Sequence, residues 1–145
     1  MKVIPPLYLI GMKINCWKCG SRMPAVAIVA SRIDHEGDDV CTLCDITELP
    51  NEVLSFVQGR VPTFQLKYSK TVGGKYYANV CPKCHMLSGD FFLHSEPEAP
   101  FFPTDAQQAS QLYLTEIPAK DAVSVQASYH AGTGELILEH AARIA

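Results

Sequence analysis

Every cysteine in this chain belongs to a C-x-x-C pair: Cys16/Cys19, Cys41/Cys44 and Cys81/Cys84. Two thiolates separated by two residues can grip one metal ion, because the backbone between them turns and aims its N–H groups at sulfur. Six cysteines in 145 residues are also compatible with a secreted disulfide scaffold. The N-terminal residues argue against that. Residues 1–10 carry one lysine, an early Pro5-Pro6 pair and a short apolar run, with no small-residue cleavage site at a suitable distance. The expectation is therefore a reduced, cytoplasmic protein that holds zinc.

Two pairings of the knuckles are open. Proximity joins Cys16/Cys19 to Cys41/Cys44, close to the common C-x2-C-x15–20-C-x2-C spacing. Local chemistry joins Cys16/Cys19 to Cys81/Cys84. In the first knuckle Gly20 follows the second cysteine and supplies a permissive backbone. In the last, Pro82 presets the turn. Lys18 and Lys83 sit between the cysteines, with Arg22 close by, and can offset the charge of about −2 on a four-thiolate zinc centre. The middle pair has no Gly, Pro or Lys, and acids surround it. Negative charge beside thiols raises their pKa and opposes metal binding, so Cys41 and Cys44 read as small buried side chains. Two sites completed by histidine, or no metal, are the other arrangements.

The formal net charge of −3 hides strong polarisation. Residues 1–33 and 53–89 hold five basic residues each and no acids. Residues 34–52 hold seven acids and no Lys or Arg, and residues 90–145 hold eight acids against two basic residues. The basic blocks carry the two favoured knuckles. At 48% apolar the chain can bury a core, and no apolar run approaches the roughly 18 residues of a membrane span.

Local patterns outline the elements. Residues 3–14 predict a β-rich lead-in and residues 24–33 a short buried strand. Residues 34–39, with one glycine and four acids, predict a solvated turn. Residues 49–59 predict a helix with Val53, Leu54 and Val57 on one face, Glu48 and Glu52 in its first turn and Gly59 as its stop. Residues 62–81 predict a hairpin turning at Gly73-Gly74, with Phe64 and Tyr68 on its core face and lysines on the other. The return strand runs straight into Cys81, which is the arrangement of a zinc ribbon. Phe91, Phe92, Leu93, Phe101 and Phe102 read as core, and residues 95–104 as a loop or linker. Beyond them, residues 111–117, 122–129 and 135–142 predict three strands of an antiparallel meander, with a helix from Glu135 as the alternative for the last. The fold expected is α+β and mostly β. It comprises a zinc-ribbon domain (1–104) with an inserted loop and helix (34–60), and a C-terminal strand extension (105–145) packed on the same domain.

Three segments together resemble a group of small bacterial zinc-ribbon proteins and appended domains. They are Asn15, Cys16, Trp17, Lys18, Cys19 and Gly20; then Tyr76, Tyr77, Ala78, Asn79, Val80, Cys81, Pro82, Lys83 and Cys84; then Gly89, Asp90, Phe91, Phe92, Leu93 and His94. The resemblance spans roughly residues 15–102. It implies Cys16, Cys19, Cys81 and Cys84 as the ligands of one zinc, does not speak for Cys41 or Cys44, and lends no activity. The chain departs from the pattern at His85, where the knuckle usually has Gly.

Function divides into three classes. A closed four-cysteine zinc site offers no open coordination position, so a non-enzymatic protein with a protein-binding surface is the first expectation. Trp17 is then either a lid over the ion or, if exposed, a binding anchor. The second is nucleic-acid binding by the basic, aromatic hairpin of residues 60–85, through Lys67, Lys70, Lys75 and Lys83 interleaved with Phe64, Tyr68, Tyr76 and Tyr77. The third is thiol redox chemistry at Cys41/Cys44, which Asp38, Asp39 and Asp45 oppose. No Ser/His/Asp arrangement or phosphate-binding glycine loop stands out. His94 reads as a satisfied structural residue, and His35, His130 and His140 as surface.

Overall fold

A computed structural model describes residues 1–145. It opens with a long antiparallel hairpin, β1 (Lys2–Asn15) and β2 (Arg22–Ile33), paired from Val3↔Ile33 to Asn15↔Arg22. The ladder shifts register between Ile4 and Leu7, where Pro5 and Pro6 have no N–H to offer. There follow β3 (Cys41–Glu48), α1 (Asn51–Arg60), the hairpin of β4 (Phe64–Ser69) and β5 (Gly74–Val80), and the short β6 (Leu87–Ser88). Next come α2 (Asp90–His94), α3 (Ala106–Ser110), β7 (Tyr113–Ile117), β8 (Val123–Ser124), β9 (Gln126–Ala131), α4 (Gly134–His140) and β10 (Ala142–Arg143). The chain is mostly β, in two sheets. The larger runs β10-β7-β1-β2-β3-β9, with β8 also against β1; the smaller is β4-β5-β6.

β2 shows why its sequence is nearly continuously apolar. Val26, Ile28 and Ala30 face one core, while Ala25, Ala27 and Val29 face another. A strand covered on both faces loses the polar half of the usual alternation. The first core takes Val53, Val57 and Val61 from around α1 and Phe64 from β4. The second takes Leu93, Phe101 and Ile137, together with Cys16 and Cys81.

One buried amide bridges the small sheet to the backbone of the large one. Asn79 is buried; its Oδ1 accepts from the Val26 N–H at 2.9 Å, and its Nδ2 donates to the Val26 carbonyl at 3.0 Å. Val26 lies beyond the stretch of β2 that β3 covers, since that ladder pairs only Ile28, Val29 and Ala30. The side chain therefore satisfies a strand edge that would otherwise be buried with open backbone groups.

Several expectations are corrected. The C-terminal segment is no meander. β7 and β8 pair with β1, and β9 pairs with β3 at the far side of the sheet. Residues 135–142 are mainly helix, the weighed alternative, because Ile137 must reach the second core while β10 runs parallel to β7. The inserted segment 34–60 holds a strand as well as a loop and helix; β3 places Glu48 at a strand end, so only Glu52 lies in the first turn of α1. Tyr68 is exposed although Phe64 is buried, because β4 runs out beyond the core. Phe91 and Phe92 are 73% and 64% exposed, and of that run only Leu93 packs inside. α2 turns the two rings outward, where an extended run would have hidden one.

Candidate metal centre

Each knuckle is a hairpin tip. The first joins paired Asn15 and Arg22, the second paired Val80 and Leu87, so the same number of residues closes both turns. Their bonding matches position for position. Cys16 N–H donates to Ser21 O and Gly20 N–H to Cys16 O; Cys81 N–H donates to Met86 O and His85 N–H to Cys81 O. Gly20 has φ +75° and His85 φ +64°. The left-handed residue that glycine serves cheaply in the first turn is thus supplied by histidine in the second.

The two tips meet. Cys16 Sγ lies 3.5 Å from Cys84 Sγ, and Cys19 Sγ lies 3.7 Å from Cys81 Sγ. All four sulfurs fall within 4.8 Å of one another. A disulfide would need about 2.05 Å. A tetrahedron with metal–sulfur bonds of about 2.3 Å has edges of about 3.8 Å. The cluster has that size, and the donors are four soft sulfurs, so these residues can hold a metal ion. Cys16 and Cys81 anchor it inside the second core, Cys84 is half-buried and Cys19 is exposed.

The electrostatics ask for a cation. Hydrogen bonds from the Ser21 hydroxyl and backbone hold Cys19 down to about 6. A bond from the Cys19 backbone lowers Cys16 against the effect of burial. At Cys84 the Met86 N–H favours the thiolate, but burial and the three neighbouring sulfurs together push it up to about 11. Four thiols this close cannot all ionise alone, and a divalent ion removes the conflict. Lys18 and Lys83 are exposed beside their cysteines.

A comparison with protein-family models, with curated proteins and with solved structures found no match.

Cys41 and Cys44 are not brought to this cluster. Both lie on β3; Cys41 packs in the first core, away from Cys16 and Cys81 in the second. Its Sγ is 3.3 Å from the Asp39 carbonyl. Burial, then the charge of Asp39, pushes Cys41 up, and burial with Asp45 and Asp90 pushes Cys44 up to about 12. Such thiols are poor nucleophiles at neutral pH, contrary to a redox role.

Trp17 is 60% exposed, and its Nε1 donates to the Leu87 carbonyl at 2.8 Å, tying the first knuckle to the second. It is the exposed form of the two weighed. Among the lysines, Lys67 is half-buried on β4, Lys70 and Lys75 are exposed around the hairpin turn, and Lys83 lies on the second knuckle. Lys75 stands directly across from exposed Tyr68, whereas Tyr76 is buried and Tyr77 stacks on Phe64 at 5.9 Å. The aromatic set is therefore divided between surface and core.

One histidine pair was not legible in the sequence. His94 Nδ1 lies 3.0 Å from His130 Nε2, and the His94 ring packs 5.1 Å from Phe101. Burial, helped by His130, holds His94 down to about 3, and burial alone lowers His130. His130 is half-buried, not surface, because β9 sets it across from buried Thr42. Thirty-five residues separate the two histidines, and no local pattern could join them.

Proposed function

We propose that this is a non-enzymatic zinc protein whose four-cysteine ribbon supports a protein-binding surface. One zinc per chain is held by Cys16, Cys19, Cys81 and Cys84 and closes its own coordination shell, so it stabilises the fold and leaves no position for water or substrate. Thiolate ligands need a reducing compartment, and the reading takes the cytoplasm.

The observation that carries this reading is the placement of exposed apolar side chains. Trp17, Val72, Met86, Phe91 and Phe92 are all exposed. Trp17 with Met86 lines one groove, and Trp17 with Val72, Phe91 and Phe92 lines another. Large side chains left in water at one place on a small domain are the mark of an interface. The metal cluster fixes the two turns on which this surface is built.

The test is capture from the native cell with nuclease-treated lysate, using the zinc-loaded chain and Trp17→Ala or Phe92→Ala variants. Protein partners retained by the wild type and lost by both variants, each variant keeping its zinc, agree with the reading. Partners kept by both variants refute it.

Exposed Tyr68 opposite Lys75 favours a second reading, in which this hairpin binds nucleic acid. Charge reversal of Lys67, Lys70 and Lys75 should then abolish a salt-dependent gel shift. No shift for the wild type at low salt removes this reading.

A further inference from the structure

Two grooves adjoin at Trp17, sharing Ser69, Thr71 and Leu87 as a floor between them. One has a volume of about 520 Å³ and the other about 390 Å³. They differ in charge. The larger is lined by Asp45 and Asp90 together with Trp17, Phe91 and Phe92, and the smaller by Lys67, Lys70 and His85.

The acidic end has no counter-charge within the protein. Asp90 is only 7% exposed. Its Oδ2 accepts the Asp45 N–H at 2.8 Å, which is the one hydrogen bond its carboxylate receives, so Oδ1 is left unpaired at the groove. The ion pairs of the protein lie elsewhere, at Arg32–Asp34, His35–Asp34 and His140–Glu139. Burial, with the neighbouring Asp45 charge, pushes Asp90 up to about 7 against the pull of that hydrogen bond. A buried carboxylate without a counter-charge is costly, and a cation delivered from outside relieves the cost. The faces of exposed aromatic rings attract the same kind of charge.

We propose that the larger groove receives a lysine or arginine side chain of a partner protein, with Asp90 and Asp45 as counter-charges and Trp17, Phe91 and Phe92 as its walls. The proposal rests on the protein-binding reading above and names the partner's chemistry. Charge complementarity extends along the surface: a partner segment with an apolar residue over Trp17 and an acidic residue beyond it meets Lys67 and Lys70 at the other end.

The experiment is panning of a random linear-peptide display library on the zinc-loaded full chain, followed by affinity measurement with the selected peptides made synthetically. Peptides carrying Lys or Arg beside an apolar residue are expected. Their affinity should fall roughly tenfold or more in Asp45→Asn/Asp90→Asn, where the isosteric amide at position 90 can still accept the backbone N–H of residue 45. Phe91→Ala, on an exposed side chain, should weaken the same peptides and serves as the second variant if the double variant fails to retain zinc. Selected peptides that lack a basic residue, or that bind the double variant unchanged while losing Trp17→Ala, overturn the cation assignment and leave the docking surface standing. Selection no better on the wild type than on Trp17→Ala overturns both.

Discussion

Replacing His94 by Asn should flatten the acid limb of the stability profile, because His94 is held neutral where water would protonate it. The ring is 4% exposed, and its pKa falls from 6.5 to about 3. Between those values the unfolded chain binds a proton that the folded chain refuses. Stability from this group is therefore complete above about pH 6.5 and falls by about 1.4 kcal/mol per pH unit as the pH drops towards 3. From pH 7 to pH 5 the loss is ~2 kcal/mol. Asp90 works the other way. Its pKa rises from 3.8 to about 7, so the folded state keeps a proton that the unfolded state releases. That contribution is present at low pH and lost as the pH rises through 7; over the same two pH units it adds ~2 kcal/mol on acidification. The two nearly cancel, so the wild-type profile conceals both. Asn at position 94 keeps a polar atom near the Nδ1 position for His130 and cannot titrate. Urea unfolding of zinc-saturated protein at pH 7, 6 and 5 provides the assay. Protonation of the thiolates is common to both proteins and drops out of the difference. His94→Asn should gain ~2 kcal/mol on the wild type between pH 7 and 5, and Asp90→Asn should lose a similar amount. Parallel profiles for His94→Asn and wild type refute the reasoning, as does a His94 ring resonance that titrates near pH 6 by NMR.

Four further outcomes follow from the geometry. Cys16→Ser or Cys84→Ser should abolish zinc binding and unfold the paired knuckles, since structural zinc supplies on the order of 10 kcal/mol of folding free energy; metal analysis and circular dichroism read this, and full zinc in either variant contradicts the proposed ligand set. His85→Gly should raise stability by about 1 kcal/mol by removing a side chain from a left-handed residue, whereas Gly20→Ala should lower it by a similar amount; thermal melts of the two variants check the sign. Asn79→Ala should cost roughly 2–4 kcal/mol, because it strips both hydrogen bonds from the buried Val26 backbone; a denaturant midpoint unchanged from wild type argues that water takes them over. Cys41→Ala and Cys44→Ala should leave zinc content at one ion per chain, and a fall in metal assigns one of them to the site.

Much of the local structure could be read along the chain. The β1–β2 and β4–β5 strands, α1 and the two knuckles follow from short apolar runs, alternation, turn residues and cysteine spacing, all of which act over a few residues. The favoured cysteine set was legible for a chemical reason: lysine, glycine and proline accompany Cys16/Cys19 and Cys81/Cys84, and acids accompany Cys41/Cys44. The misses share a cause. Whether Phe91 and Phe92 face in or out depends on how α2 sits on the sheet, and Tyr68 on where the small sheet overhangs the core. Residues 135–142 carry an apolar pattern that a strand or a helix can use, and only the position of Ile137 over the second core decides between them. The partnership of His94 with His130 requires α2 and β9 to meet, which no window of sequence encodes.

By itself, then, the sequence determined the chemistry available and the local turns: three thiol pairs, two of them in basic knuckles, a chain apolar enough to bury a core, and a buried strand at residues 24–33. Those properties belong to residues and their immediate neighbours. Tertiary structure alone decided which thiols converge, that Asn79 closes the edge of β2, and that Trp17, Asp45 and Asp90 from distant segments line one groove. Those arrangements depend on long-range strand pairing. There the two buried faces of β2 demand cover, and the segments that supply it carry other side chains to the surface beside the cysteine cluster.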